Sequence, residues 1–376
     1  LGLDWSAFYW VPANVFGDGK VMIFGEVIDK QGVPFTGDIR GVLKAYADEQ
    51  FKTNGYTLNA ANEIEGFLFK GRDAEQEFCK NGVFEYVDFG GYYYSLPGDP
   101  LRTFIDATAE VQRAMGFQNE KDHPEVAPSQ FEINYGYGEV VAAADQIQLY
   151  KLICRQVAAN QGHTASFLPK PVVGVNGSGM HTNVSVSKGN KNIFWDPNGL
   201  EKISPFAWDF VDRILTSGLD MCLALNSSVN AYRRLDPHFE APNQLKASAI
   251  DRGSMVRIPI GNERSARVEV RAVGPDANPY LLLLSVFKTG LDGEIAKIEN
   301  LRQAERYLPD NIYTAIDLWR DSKWVGKLLG EDVKERYAEL KQNSADRCPR
   351  LLGTEVKPAE VQFHHSVYNQ YLWNKF

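Results

Sequence analysis

The sequence predicts an α+β fold, a curved and largely antiparallel sheet with a polar inner face and helices outside it. Three observations predict it. Short stretches alternating apolar and polar residues at period two recur along the chain. Longer stretches with helical spacing lie between them and stop at Gly55, Gly116 and Gly162. No low-complexity linker or repeat separates the two kinds.

The elements follow in order. KVMIFGEVID (20–29) reads as a strand and DIRGVLKAYADEQFKTNG (38–55) as an amphipathic helix. NEIEGFLF (62–69) is a strand. A helix over 99–116 is opened by Asp99 and Pro100, since proline lacks an N–H that the first helical turn does not use. SQFEINYGY (129–137) alternates as a strand, and 143–162 has helical spacing. GMHTNVSVS (179–187) alternates again. Helices are expected at 205–226 and 278–300, and a mostly helical end over 310–376.

The strands share an oddity. Glu63 and Glu65 fall on one face of their strand, as do Gln130, Glu132 and Asn134, then His181, Asn183 and Ser185, then Arg267, Glu269 and Arg271. Arg257 joins them from SMVRIP. The opposite faces are apolar: Ile64 and Leu68, Phe131 and Ile133, Val184 and Val186, Val268 and Val270. One charged face is also what a solvated edge strand shows. Several suggest a sheet around a wet, charged cavity. Carboxylates with a histidine suit Mg²⁺ or Mn²⁺ rather than structural zinc, and arginines beside them suit phosphate. Together they describe phosphoryl transfer. No GxxxxGK[ST] sequence occurs, so a P-loop is not the cradle.

The bulk composition narrows the partners. Forty basic against 48 acidic residues give a net charge of −8, which argues against nonspecific binding of nucleic acid or anionic membranes. The longest apolar run, YLLLLSVF (280–287), is too short to span a bilayer, and no signal-peptide pattern is recognised. Cys79, Cys154, Cys222 and Cys348 are widely spaced, as expected for reduced thiols of a cytoplasmic protein.

KPVVGVNGSGMHTNVS (170–185) resembles the glutamine synthetase family, whose nucleotide and glutamate region carries a KP…NGSGMH pattern. NEIEGFLF resembles the family's ExE strand, and GGYY (90–93) its GGYF-like segment. HPEVAPSQFE (123–132) is similar to its HHEVAPGQHE-type stretch, and NAYRRLDPHFEAP (230–242) to its NSYKRLxPxxEAP segment. DRGSMVRIP (251–259) and ARVEVRAVGPDANPYL (266–281) follow in family order.

The resemblance implies a glutamine synthetase-like catalytic domain over 31–376, preceded over 1–30 by the remainder of an N-terminal β-grasp domain. It implies ATP as co-substrate and two or three Mg²⁺ or Mn²⁺ ions per site. Glu65, Glu125 and Glu132 match the ligands of one metal, and Glu63, His181 and Glu269 those of the metal on the ATP phosphates. Asn176 and Gly177 match the loop that holds glutamate, Arg234 a carboxylate clamp, and Glu240 the flap acid that closes the site. Arg252 and Arg271 match groups around the transferred phosphoryl, Arg257 and Arg267 nucleotide phosphate contacts, and Ser185 lies near the nucleotide. Tyr92 with Glu125 matches part of the ammonium pocket. The implied activity is glutamine formation from glutamate and ammonia through γ-glutamyl phosphate. The alternatives are a γ-glutamyl ligase for an organic amine or polyamine, and an inactive scaffold. The family's rings imply a homo-oligomer, a dodecamer of two hexameric rings.

Several positions depart from the pattern. Asn183 replaces a second histidine, as in eukaryotic-type members, and Pro124 stands at the amine side. Tyr307 is displaced from the family's adenylylation position, so that regulation is not expected. WVPANVF (10–16) resembles the later part of the β-grasp domain, and Asp4 has no secure match to its ammonium-pocket acid. His123 is open between a structural and a site role. His364 and His365 are read as structural, and the cysteines with Tyr368, Tyr371, Trp373 and Phe376 as packing or subunit contacts.

Overall fold

The computed structural model describes residues 1–94 and 96–346, without the side chains of 79–81. Strands β1 (Gly2–Trp10) and β2 (Val21–Glu26) form an antiparallel pair of their own. The large sheet has ten strands among the described residues. They are β3 (Tyr56–Lys70), β4 (Asn119–Pro124), β5 (Gln130–Tyr135), β6 (Gly138–Glu139), β7 (His163–Ser166), β8 (Met180–Lys188), β9 (Lys191–Asn192), β10 (Gln244–Ser248), β11 (Ser254–Arg257) and β12 (Val268–Val270). The order is β10-β11-β12-β8-β3-β5-β4, with β6 and β7 on β3 and β9 on β8. Only β10 and β11 run parallel among the described pairs.

Period-two patterning sets this sheet. Leu58, Ile64, Phe131, Ile133, Val184, Val186, Val268 and Val270 are buried in one core with the helices Pro100–Ala114, Val140–Asn160 and Pro279–Asp292. Each such side chain contributes about 1.5–3 kcal/mol by leaving water. A slip of one residue would turn that set outward, so the nine paired positions from Tyr56↔Lys188 to Ile64↔Met180 also fix which residues face the cavity. Beyond Glu65 the inner face of β3 turns apolar. Phe67 and Phe69 join Phe78 and Phe84 in a second hydrophobic cluster.

The helices begin where their caps allow. The Asp99 carboxylate accepts from the Leu101 N–H at 2.8 Å, and Asn278 caps the helix begun by Pro279. Two expected helices are shorter than read. The 205–226 stretch is two helices, Pro205–Thr216 and Gly218–Leu225, meeting at Ser217. The Ser217-Gly218 pair favours such a junction, and a Cβ at Gly218 would press on Leu245 and Met255 at 3.0 and 3.1 Å, so the sheet approaches it closely. The helix from Pro279 stops at Asp292, with Gly293 as its cap. The end is helical over Ile312–Asp321, Lys323–Leu329 and Glu331–Ala345. Cys348, His364, His365, Tyr368, Tyr371, Trp373 and Phe376 lie outside the described residues, as does the side chain of Cys79. Cys154 and Cys222 are buried free thiols.

A buried ion network fastens the first hairpin to the rest. The Arg40 guanidinium donates to both Asp145 oxygens at 2.9 and 2.7 Å and to Asp4 at 3.0 Å. Lys44 reaches Asp4 and Glu26, and the Tyr280 hydroxyl donates to Asp145. Asp4 is therefore engaged in structure and does not line the cavity. No helix among the described residues is long and apolar enough to cross a membrane.

Candidate active site

A cavity of about 1330 Å³ opens over the polar face of the sheet. Every candidate residue from the sequence lines it except Glu269, which is fully buried in its wall. Strand register explains the convergence. Glu63 faces His181 across β3 and β8, and Glu269 faces Asn183 on one side and Arg257 on the other. Glu65, Glu132 and His123 form one row across β3, β5 and β4.

Two groups of side chains could each hold a cation. In the first, His181 Nδ1 lies 3.8 Å from Glu63 Oε2 and 3.7 Å from Glu269 Oε1. The Asn183 amide donates to Glu63 at 3.1 Å. Burial pushes the Glu63 carboxyl up, but His181 and Asn183 outweigh it and hold the group down at about 2. Glu269 stands between Arg257 Nε at 3.0 Å and Arg271 Nη1 at 2.6 Å. The second group is His123, Glu125 and Glu132, one donor atom from each lying within 4.8 Å of the others. Glu65 borders this group, but its carboxylate accepts from the Gly179 N–H at 2.8 Å and the Gln130 amide at 3.3 Å.

The second group asks for positive charge. Burial, and then the neighbouring carboxylates of Glu65, Glu63 and Glu240, push Glu125 and Glu132 up to about 8 each. His123 is 1% exposed, its Nδ1 lies 3.1 Å from the Pro124 carbonyl, and its Nε2 has no hydrogen-bond partner among the described residues. An orphaned imidazole nitrogen among crowded carboxylates fits a divalent cation, whose charge would bring both acids back to the ionised form. A pH effect follows. In the metal-free protein the two raised groups stabilise the fold fully below their unfolded value of about 4.3, and that stability is lost as pH rises towards about 8. Magnesium should therefore raise the melting temperature more at pH 8 than at pH 6. Equal gains at both pH values would contradict the fit.

The other wall carries cations and a glycine loop. Arg234 is 4% exposed and donates to the backbone carbonyls of Val273 at 3.1 Å and Arg271 at 3.3 Å. No carboxylate pairs with it among the described residues, and burial, with Arg271 adding to it, pulls it down to about 10. A buried guanidinium without an anion is a place for one. A Cβ at Gly177 would run into the Pro169 carbonyl and the stem of Arg234, so only glycine lets this loop lie so close to the arginine. At the rim, Arg252 Nη1 donates to Glu240 at 2.9 Å and the Asn176 amide to its other oxygen at 3.3 Å. Glu240 takes the left-handed conformation at φ 61°. Arg267 Nε donates to the side-chain Oδ1 of Asn183 at 2.9 Å, with Ser185 further along that wall.

At the opposite end, Tyr92 lines the cavity beside Glu125, while Tyr93 tilts over His123 at 4.4 Å. Tyr92 is thus the lining tyrosine of GGYYY. His123, left open by the sequence between a structural and a site role, stands among the possible cation donors. Lys121, whose Nζ lies 3.8 Å from Glu132, and the Gly179 N–H were not foreseen from the sequence. Lys121 sits in a strand with no alternating pattern, and a backbone donor leaves no signal in side-chain spacing.

A family model described as the catalytic domain of glutamine synthetase matches residues 36–363. A glutamine synthetase of Methanosarcina mazei is 37% identical over 365 residues, covering 92% of this chain and 80% of that one. One from Staphylococcus epidermidis is 36% identical over 358 residues, covering 90% and 77%. A solved structure described as a GmaS/ADP complex superposes with a TM-score of 0.78 at 22% identity, covering 93% of this chain and 83% of that one.

Proposed function

The chain belongs to the glutamine synthetase family, and on that premise we propose that it makes glutamine from glutamate and ammonia, at the expense of ATP, through γ-glutamyl phosphate. One observation carries the reading. Glu269, in a group that could hold a metal, is shared between two arginines that also border the cavity, which the glycine loop and Arg234, without a carboxylate partner among the described residues, line as well. That supports metal, phosphate and carboxylate recognition in one space.

The reaction needs each part. A carboxylate is a poor acylating agent, so an oxygen of the γ-carboxylate attacks the γ-phosphorus of ATP and ADP leaves. The ammonia nitrogen then attacks the carbonyl carbon of that acyl phosphate, the bond from that carbon to the phosphate oxygen breaks, and phosphate departs. Divalent metal, Mg²⁺ or Mn²⁺, would cancel repulsion between the two anionic substrates. Glu63, His181 and Glu269 would hold the ion at the phosphates. Glu65, Glu125 and Glu132, with His123 beside them, would hold the ion or ions at the amine side. Arg257 and Arg267 would bind nucleotide phosphates near Ser185, and Arg252 and Arg271 would meet the transferred phosphoryl group. Arg234, Asn176 and Gly177 would orient glutamate, and Glu240 would close over it and exclude water. Glu125 with Tyr92 would receive the ammonium ion and take its proton.

A second reading has its own observation. Pro124 removes a polar side chain at the amine side, and Tyr92, Tyr93 and Val126 present half-exposed aromatic and apolar surface beside Glu125. Such a wall suits an alkylammonium ion by cation–π attraction. The test is ADP release by purified protein with glutamate and Mg²⁺, comparing ammonium with a panel of monoamines and polyamines. Ammonium should turn over fastest. Equal or faster turnover with an organic amine would replace the ammonia reading with the second, and no ADP with any of them would make the protein an inactive scaffold.

We further propose a cytoplasmic homo-oligomer, a dodecamer of two hexameric rings, with residues 1–30 as the remainder of a β-grasp domain. Trp5 and Trp10, 73% and 72% exposed on β1, support a subunit contact there. Because Asp4 is committed to Arg40 and Lys44, a further acid for the amine pocket would come from elsewhere.

A further inference from the structure

Lys170 opens the KP…NGSGMH stretch, yet no step above uses it. Its side chain is buried and its backbone is clamped: the N–H donates to Asn230 Oδ1 at 2.7 Å and the carbonyl accepts from Asn230 Nδ2 at 2.9 Å. Its ammonium group has two neighbours on opposite segments. Nζ donates to the Val175 carbonyl, one residue before Asn176. It also lies 3.8 Å from the centroid of the Phe239 ring, one residue before Glu240. Asp236, at the start of the same turn, adds an attraction, which burial and Arg234 oppose.

The glycine loop and the flap therefore meet twice. At the rim Asn176 touches Glu240, but Glu240 and its partner Arg252 are half-exposed or more, where water weakens a charged contact. Beneath the rim the buried Lys170 joins Val175 and Phe239, both half-buried, in a contact less open to water than the Glu240–Arg252 pair, and a cation over an aromatic face gains as it is desolvated. Glu240 departs from this turn in the left-handed conformation, which a non-glycine residue keeps only when its neighbours impose it.

We propose that Lys170 is a positioning residue that couples the two segments, so that ordering the glutamate loop and closing the flap become one event. The function rests on the γ-glutamyl ligase reading, whereas the mechanical link does not. Phe239→Leu removes the ring face with little loss of volume at a half-buried position, Phe239→Tyr keeps the face, and Lys170→Met removes the cation. Hydrogen–deuterium exchange over 235–241 should be about five- to tenfold faster in Phe239→Leu and Lys170→Met and unchanged in Phe239→Tyr. In Phe239→Leu the KM for glutamate should rise about fivefold, and ADP should form in excess over amide because the acyl phosphate meets water, while the KM for ATP stays the same. Wild-type exchange in Phe239→Leu would overturn the link. Faster exchange with wild-type ADP-to-amide stoichiometry would overturn its coupling to catalysis. A wild-type protein that forms no ADP with glutamate would refute the ligase reading instead, and exchange would still decide the link.

Discussion

Glu269→Gln abolishes metal-dependent ADP formation, with kcat falling by about 10³-fold or more. The substitution keeps the volume and removes one charge, from a carboxylate that is fully buried between Arg257 and Arg271 and 3.7 Å from His181. Three consequences coincide. The group that could hold a cation loses one of two anions. The Arg271 guanidinium, 6% exposed, loses its charged partner. His181 loses one of the two carboxylates that face it. Stranding a buried guanidinium costs about 3 kcal/mol, so the melting temperature should fall as well. Activity with Mg²⁺ saturating is the decisive readout, because a merely structural ion pair would lower stability and leave turnover near normal.

Gly177→Ala raises the KM for glutamate by about 100-fold and leaves that for ATP unchanged. The added Cβ would overlap the Pro169 carbonyl and stand 3.1 Å from Arg234 Cγ. Neither can yield cheaply. The Pro169 carbonyl is held by the Ser178 N–H at 2.8 Å, and Arg234 by two backbone carbonyls. The loop itself has to move, taking Asn176 with it. Initial rates at varied glutamate and varied ATP separate the effects. An equal rise in both constants would mean that the loop holds the whole site rather than glutamate.

The period-two strands were legible because each has one apolar face that cannot be misassigned. Ile64, Phe131, Val184 and Val268 lock the register that brings Glu63, Glu132, His181 and Glu269 together. What stayed hidden depends on three-dimensional approach. The break at Ser217 is marked locally only by the Ser217-Gly218 pair inside an otherwise helical pattern, and the close approach of β10 and β11 side chains to Gly218 is not visible in the sequence. β3 begins at Tyr56, six residues before the stretch read as a strand, because Ala60 and Ala61 interrupt the polar–apolar alternation. His123 stands on β4, whose NEKDHP sequence carries no apolar stripe, so its place beside Glu132 follows only from pairing with β5. The Lys170–Phe239 contact joins residues that no spacing argument connects.

The most direct measurement follows oxygen from glutamate labelled with ¹⁸O in its γ-carboxylate, incubated with ATP, Mg²⁺ and ammonium or whichever amine turns over fastest. One ¹⁸O atom is expected in each released phosphate, carried across when the acyl carbon loses its phosphate oxygen. Phosphate carrying oxygen from water alone would mean that ATP is hydrolysed without an acyl phosphate, and would contradict the account.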